Sequence, residues 1–107
     1  MTENGDRTGD SKKAPERWPF DQAPNVAALT VSSIVAGQPI LYVSHDADDD
    51  GWQFLDGRPP DVNEARVISM AEALRLDGTL RQIADLPPGW IAWRDGPSEP
   101  WSRGPHR

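Results

Sequence analysis

The sequence predicts an α+β domain: an antiparallel sheet of four or five strands with two short helices packed on one face. Three observations carry that reading. Apolar and polar residues alternate over short stretches at 26–32, 40–44, 52–55 and 90–94, the period of half-buried strands. Helical spacing is confined to the stretch between Ser69 and Ala84. Clusters of Gly, Pro and Asp punctuate the chain between these stretches, as turns require.

The elements follow in order. Residues 1–17 hold no large apolar side chain after Met1 and are rich in Gly, Asp, Lys and Thr. They cannot repay the entropy of ordering and are predicted to be a disordered tail. The domain then occupies residues 18–101, with Trp18-Pro19-Phe20 as its first contact. Val26 to Ser32 reads as a strand with Leu29 and Val31 on one face and Thr30 and Ser32 on the other. Ala36-Gly37-Gln38-Pro39 supplies a turn, and Ile40-Leu41-Tyr42-Val43-Ser44 is dense in β-branched and aromatic residues. These two strands therefore read as a hairpin.

The run Asp46-Ala47-Asp48-Asp49-Asp50-Gly51 breaks the pattern. Strand character returns at Trp52-Gln53-Phe54-Leu55, with Trp52 and Phe54 on one face, and Asp56-Gly57-Arg58-Pro59-Pro60 ends it. A short strand follows at Arg66-Val67-Ile68. Ser69 with Glu72 forms a capping box ahead of Met70, Ala73 and Leu74, which predicts a helix over 69–76. Asp77 is placed to cap a second helical turn carrying Leu80, Ile83 and Ala84, and Pro87-Pro88-Gly89 stops it. Trp90 to Arg94 is the last strand, Ile91 and Trp93 facing one way and Trp90 and Ala92 the other. Residues 102–107 are expected to fray, with Trp101 as the anchor. The predicted core comprises Leu29, Val31, Leu41, Val43, Trp52, Phe54, Met70, Leu74, Leu80, Ile83, Ile91 and Trp93.

The 107 residues leave room for one domain. There is no cysteine, which excludes disulfide staples, thiolate zinc sites and a catalytic cysteine. No apolar run approaches the roughly 20 residues that span a bilayer, and the N-terminus lacks the apolar stretch of a secretory signal. A cytoplasmic, non-membrane protein is expected. In residues 1–17, Glu3, Asp6, Asp10 and Glu16 balance Arg7, Lys12, Lys13 and Arg17, so the net charge of −6 rests on the remainder. Such a domain repels phosphate backbones and does not favour nucleic acid. Its natural partners are cations or a basic protein. Phosphate loops, dinucleotide-binding glycine patterns and strongly spaced metal ligands are all missing, so no cofactor is expected.

Two blocks carry a resemblance. Tyr42-Val43-Ser44-His45-Asp46-Ala47-Asp48-Asp49-Asp50-Gly51-Trp52-Gln53-Phe54-Leu55-Asp56-Gly57 is the first, and Asp85-Leu86-Pro87-Pro88-Gly89-Trp90-Ile91-Ala92-Trp93-Arg94 the second. Both resemble a bacterial family of small domains of unknown function, some of whose members are described as immunity proteins of polymorphic toxin systems. The similarity covers roughly residues 26–101. It implies an α+β domain of bacterial origin and a role of the immunity kind. It implies no reaction, since that family has no catalytic residues to carry over.

Three groups of residues are candidates for chemistry. Asp46, Asp48 and Asp50 alternate ahead of Gly51, as in the first half of a calcium loop, and would be the ligands of a weak divalent-cation site. The twelfth position counted from Asp46 is Gly57, not the bidentate Glu that such a loop needs, and the flanks read as strands. The plain alternative is a solvated turn whose acids protect a sheet edge. His45 reads as a strand-end residue paired with the neighbouring carboxylates. Ser44 points to the opposite face, so the two form no nucleophile–base pair. Tyr42, Trp90 and Arg94 would form a partner-binding patch, the composition of a hot spot. Two functions stay open: a non-catalytic protein-interaction module, immunity-like by resemblance, or a small cation-binding or enzymatic domain centred on turn 46–50.

Overall fold

The computed structural model of the chain describes residues 17–106. The predicted tail at 1–17 lies outside them except for Arg17, whose carbonyl accepts a bond from Arg81 Nη1 at 2.6 Å. Among the described residues the chain forms a six-stranded mixed sheet with short helices on one face. The α+β class is as predicted, while the strand count and the all-antiparallel pairing are not.

Strand β1 (Ala27–Val31) runs into a one-turn helix, α1 (Ser32–Val35). Gly37, with φ of +113°, takes the left-handed conformation that ends such a turn. The chain then enters β2 (Tyr42–His45), reverses at the acidic turn, and returns as β3 (Trp52–Leu55). A 3₁₀ turn over Val62–Glu64, capped by Asp61, leads to β4 (Ala65–Ser69). Ser69 caps α2 (Met70–Leu76) by accepting from the Glu72 amide at 3.0 Å. Asp77 caps the following 3₁₀ segment, Gly78–Ile83, through the Thr79 amide. Both caps are those the sequence predicts. Strands β5 (Trp90–Trp93) and β6 (Ser102–Pro105) complete the sheet in the order β4-β1-β3-β2-β5-β6.

Two pairings differ from expectation. β1 and β2 are not a hairpin. β1 lies parallel to β3 and antiparallel to β4, with β3 inserted between it and β2. The cause is α1: a helical turn, not a tight reversal, follows β1, and it carries the chain far enough to leave a slot one strand wide. The second difference is β6. Residues 102–105, expected to fray, pair antiparallel with β5 from Trp90↔Pro105 to Trp93↔Ser102.

The core lies between the inner face of the sheet and the helices. Val43, Phe54 and Ala92 project from the sheet into a cluster with Met70, Ala73, Leu80 and Ile83. Phe20, Trp52 and Phe54 form edge-on and stacked ring contacts within it, with centroids 5.0–6.5 Å apart. Two predicted core members are corrected. Leu29 is 44 % exposed and Trp93 41 % exposed, and Leu41, Leu74 and Ile91 are only half-buried. In β1 the inward residues are Ala28 and Thr30, and the Thr30 hydroxyl donates to the Phe54 carbonyl at 2.7 Å, which satisfies the buried polar group. Val31 is buried as well, because the chain turns into α1 there and strict alternation ends. No helix of the described residues is long and apolar enough to cross a membrane.

Candidate binding face

With the helices on one side, the other side of the sheet is left open. Strand register fixes which side chains occupy it, since directly paired residues share a face. One row crosses the sheet as Val67, Leu29, Gln53, Ser44, Ile91 and Gly104. A second row holds Leu55, Tyr42, Trp93 and Ser102. Val67, Leu29 and Trp93 are exposed apolar residues of this face, and Ser44 donates to Gln53 Oε1 at 3.1 Å in its centre.

Over β2, β3 and β5 the face is concave and forms a cleft of about 710 Å³. Tyr42, Leu55, Ile91, Ser44 and Gln53 line its floor. Asp46, Asp48, Trp90 and His106 stand at one end, and Gly57 to Pro60 at the other. The His106 amide donates to the Gly89 carbonyl at 2.8 Å, which fixes the C-terminal segment at that end.

The acidic turn is organised by its own backbone. Asp46 Oδ1 accepts from the amides of Asp48 and Asp49, and Asp49 Oδ1 accepts from the Gly51 amide at 2.9 Å. Asp50 has φ of +60°, a left-handed conformation that Asp tolerates better than most residues. That geometry brings the carboxylate of the exposed Asp50 onto His45 and Gln22. Its Oδ1 lies 2.6 Å from His45 Nε2, and its Oδ2 accepts from Gln22 Nε2 at 2.8 Å. Donation from Gln22 first, and from His45 next, holds the Asp50 carboxyl below the ordinary carboxylate range. The predicted cation ligands Asp46, Asp48 and Asp50 therefore do not converge. Among the described residues no group of three His, Asp or Glu side chains is arranged to hold a metal.

His45 is buried and stacks on its cross-strand partner Trp52, ring centroids 4.2 Å apart and 18° from parallel. Its Nδ1 is 2.6 Å from the Leu86 carbonyl. Both ring nitrogens thus face oxygen acceptors. Gln22 ties the same corner to the N-terminal side: its Oε1 accepts from Trp52 Nε1 at 2.9 Å, and its carbonyl accepts from Trp18 Nε1 at 2.6 Å. His45 is thus paired with a carboxylate, as predicted, but it is a buried strut with no free nitrogen facing the cleft.

The predicted patch of Tyr42, Trp90 and Arg94 is divided. Tyr42 lies on the floor of the cleft, and Trp90, half-buried against the core, stands at its end. Arg94 is 7 % exposed and faces elsewhere. Its Nε and Nη2 donate to the Ile40 carbonyl, Nη1 to Thr79 Oγ1 and the Pro97 carbonyl, and Nη2 to Asp77 Oδ2 at 2.5 Å. The guanidinium sits 4.3 Å from the Trp101 ring centroid, a cation–π contact. Arg94 spends its donors inside the protein and is corrected from partner contact to internal staple. Sequence reasoning missed the open face because it placed Leu29, Ile91 and Trp93 inside. Their alternation was legible, but the side on which the helices pack was not.

Comparison with known proteins returned no matching family model, no curated relative and no solved structure.

Proposed function

We propose that the chain is a non-catalytic protein-interaction module of the immunity kind, which engages a basic protein partner in the cytoplasm through the open face of its sheet. The observation that carries this reading is the set of exposed apolar side chains on the uncovered face, Val67, Leu29 and Trp93. Single exposed apolar residues are ordinary, but paired ones on an uncovered sheet face beside a cleft mark an interaction surface. Leu29 and Val67 are directly paired across β1 and β4, and Tyr42 and Trp93 across β2 and β5. Net charge of −6 favours a partner of opposite sign. The likeness of residues 42–57 and 85–94 to a family with immunity members supports the same class.

The test is affinity capture from the native host with the wild-type chain and with a Leu29→Asp/Trp93→Asp variant. Both substitutions lie on the open face, so melting temperature should be retained. The expected outcome is a partner that the wild type holds through a high-salt wash and the variant loses. A partner held equally by both would show that another surface binds, and the reading would fall.

A further inference from the structure

The two ends of the cleft differ in charge. At one end Arg58 is neutralised by Asp56, with Nη2 2.6 Å from Oδ2 and Nε at 3.0 Å. At the other, Asp46 is bonded only to backbone amides of its turn, and Asp48 has no side-chain partner among the described residues. Between them lies a floor of Tyr42, Leu55 and Ile91 around the hydrogen-bonded Ser44 and Gln53. The cleft runs along strands of four residues, a length of about 13 Å, which accepts four or five residues of extended chain.

Building on the open-face reading above, we propose that the cleft holds a short extended segment of the partner in one direction. An apolar side chain of that segment rests on Tyr42, Leu55 and Ile91, and a lysine or arginine two or three residues away reaches Asp46 and Asp48. The apolar floor gives burial. The uncompensated carboxylates at one end, against the compensated arginine at the other, set the polarity. A segment with its charge at the Arg58 end meets a pair that is already closed. An acidic segment meets like charge at the turn.

The experiment pans phage-displayed random heptapeptides on the immobilised full chain. Enriched sequences are then synthesised and their affinity measured by tryptophan fluorescence. The expected enrichment is an apolar residue with Lys or Arg two or three positions away. Asp46→Asn/Asp48→Asn should weaken such peptides about five- to tenfold, the scale of two partly exposed ion pairs. Ile91→Glu should abolish binding, with Tyr42→Ala as a second floor variant should Ile91→Glu fail to fold. Neutral or acidic peptides, indifferent to the Asp46/Asp48 change yet lost with Ile91→Glu, would overturn the polarity and leave the open-face reading standing. Failure to enrich any peptide, or peptides indifferent to both floor variants, would overturn the two together.

Discussion

The two faces of the sheet come from the same strands and nearly the same residue types, yet their fates diverge. On the inner face Val43, Phe54 and Ala92 are fully enclosed, and the buried polar groups of Thr30, His45 and Arg94 all have partners. On the outer face Leu29 and Trp93 keep over two fifths of their surface in water, and Val67 keeps 67 %. The inner face follows the rule that buried groups must be packed and satisfied. The outer face leaves Leu29, Val67 and Trp93 in water. A sheet covered on one side has a fold side and a surface side, and alternation alone does not say which is which.

The largest contrast should come from a charge on each face. Val43→Asp places an unpaired carboxylate in a fully buried position, which costs several kcal/mol, on the order of the whole stability of such a domain. Loss of the cooperative melt followed by circular dichroism is expected. A folded Val43→Asp protein would break the distinction between the faces.

Next comes Arg94, the one arginine on the enclosed side of the molecule among the described residues. Arg94→Ala leaves Asp77 without its cation and the Ile40 carbonyl without its donors. Breaking a buried pair by removing one partner should cost about 3 kcal/mol. Chemical denaturation measures it, and Arg94→Lys should recover only part, because an ammonium cannot reproduce the fork.

A smaller effect belongs to Asp56, at the end of β3. Donation from Arg58, and then from Ser33, lowers its pKa from 3.8 to about 2. A carboxyl lowered in the folded state contributes stability above its unfolded value, and loses it as pH falls through the folded one. Stability should thus decline between about pH 4 and pH 2, by roughly 1 kcal/mol after allowance for water around the pair. Arg58→Gln should flatten that portion of the curve; an unchanged pH profile would remove the pair from the account.

The smallest effect sharpens the comparison from the other side. Leu29→Asp on the open face should change stability by no more than about 0.5 kcal/mol, the range of ordinary surface substitutions. A large loss in urea titration would mean that the outer face is covered in solution.

Much of the local structure was legible. The caps at Ser69 and Asp77, the inward pair Trp52 and Phe54, the acidic turn and the strand character of 90–93 all follow from rules that act within a few residues. The candidate site was legible only in pieces. Tyr42 and Trp90 could be singled out as aromatic contacts, and they border the cleft. Arg94 could not be told from a surface arginine, because its partners Ile40, Asp77 and Thr79 are 15 to 54 residues away. β6 carries almost no apolar signal in Ser-Arg-Gly-Pro and exists because β5 offers it an edge.

The amino-acid order by itself determined where β1 to β5, the acidic turn and the two helix caps lie, since period, β-branching and side-chain capping are short-range effects. Tertiary structure decided which strands became neighbours, which side the helices covered, and that Asp50 alone of the acidic turn pairs with His45. Those choices depend on contacts between residues far apart in the chain, where packing against a common core overrides local preference.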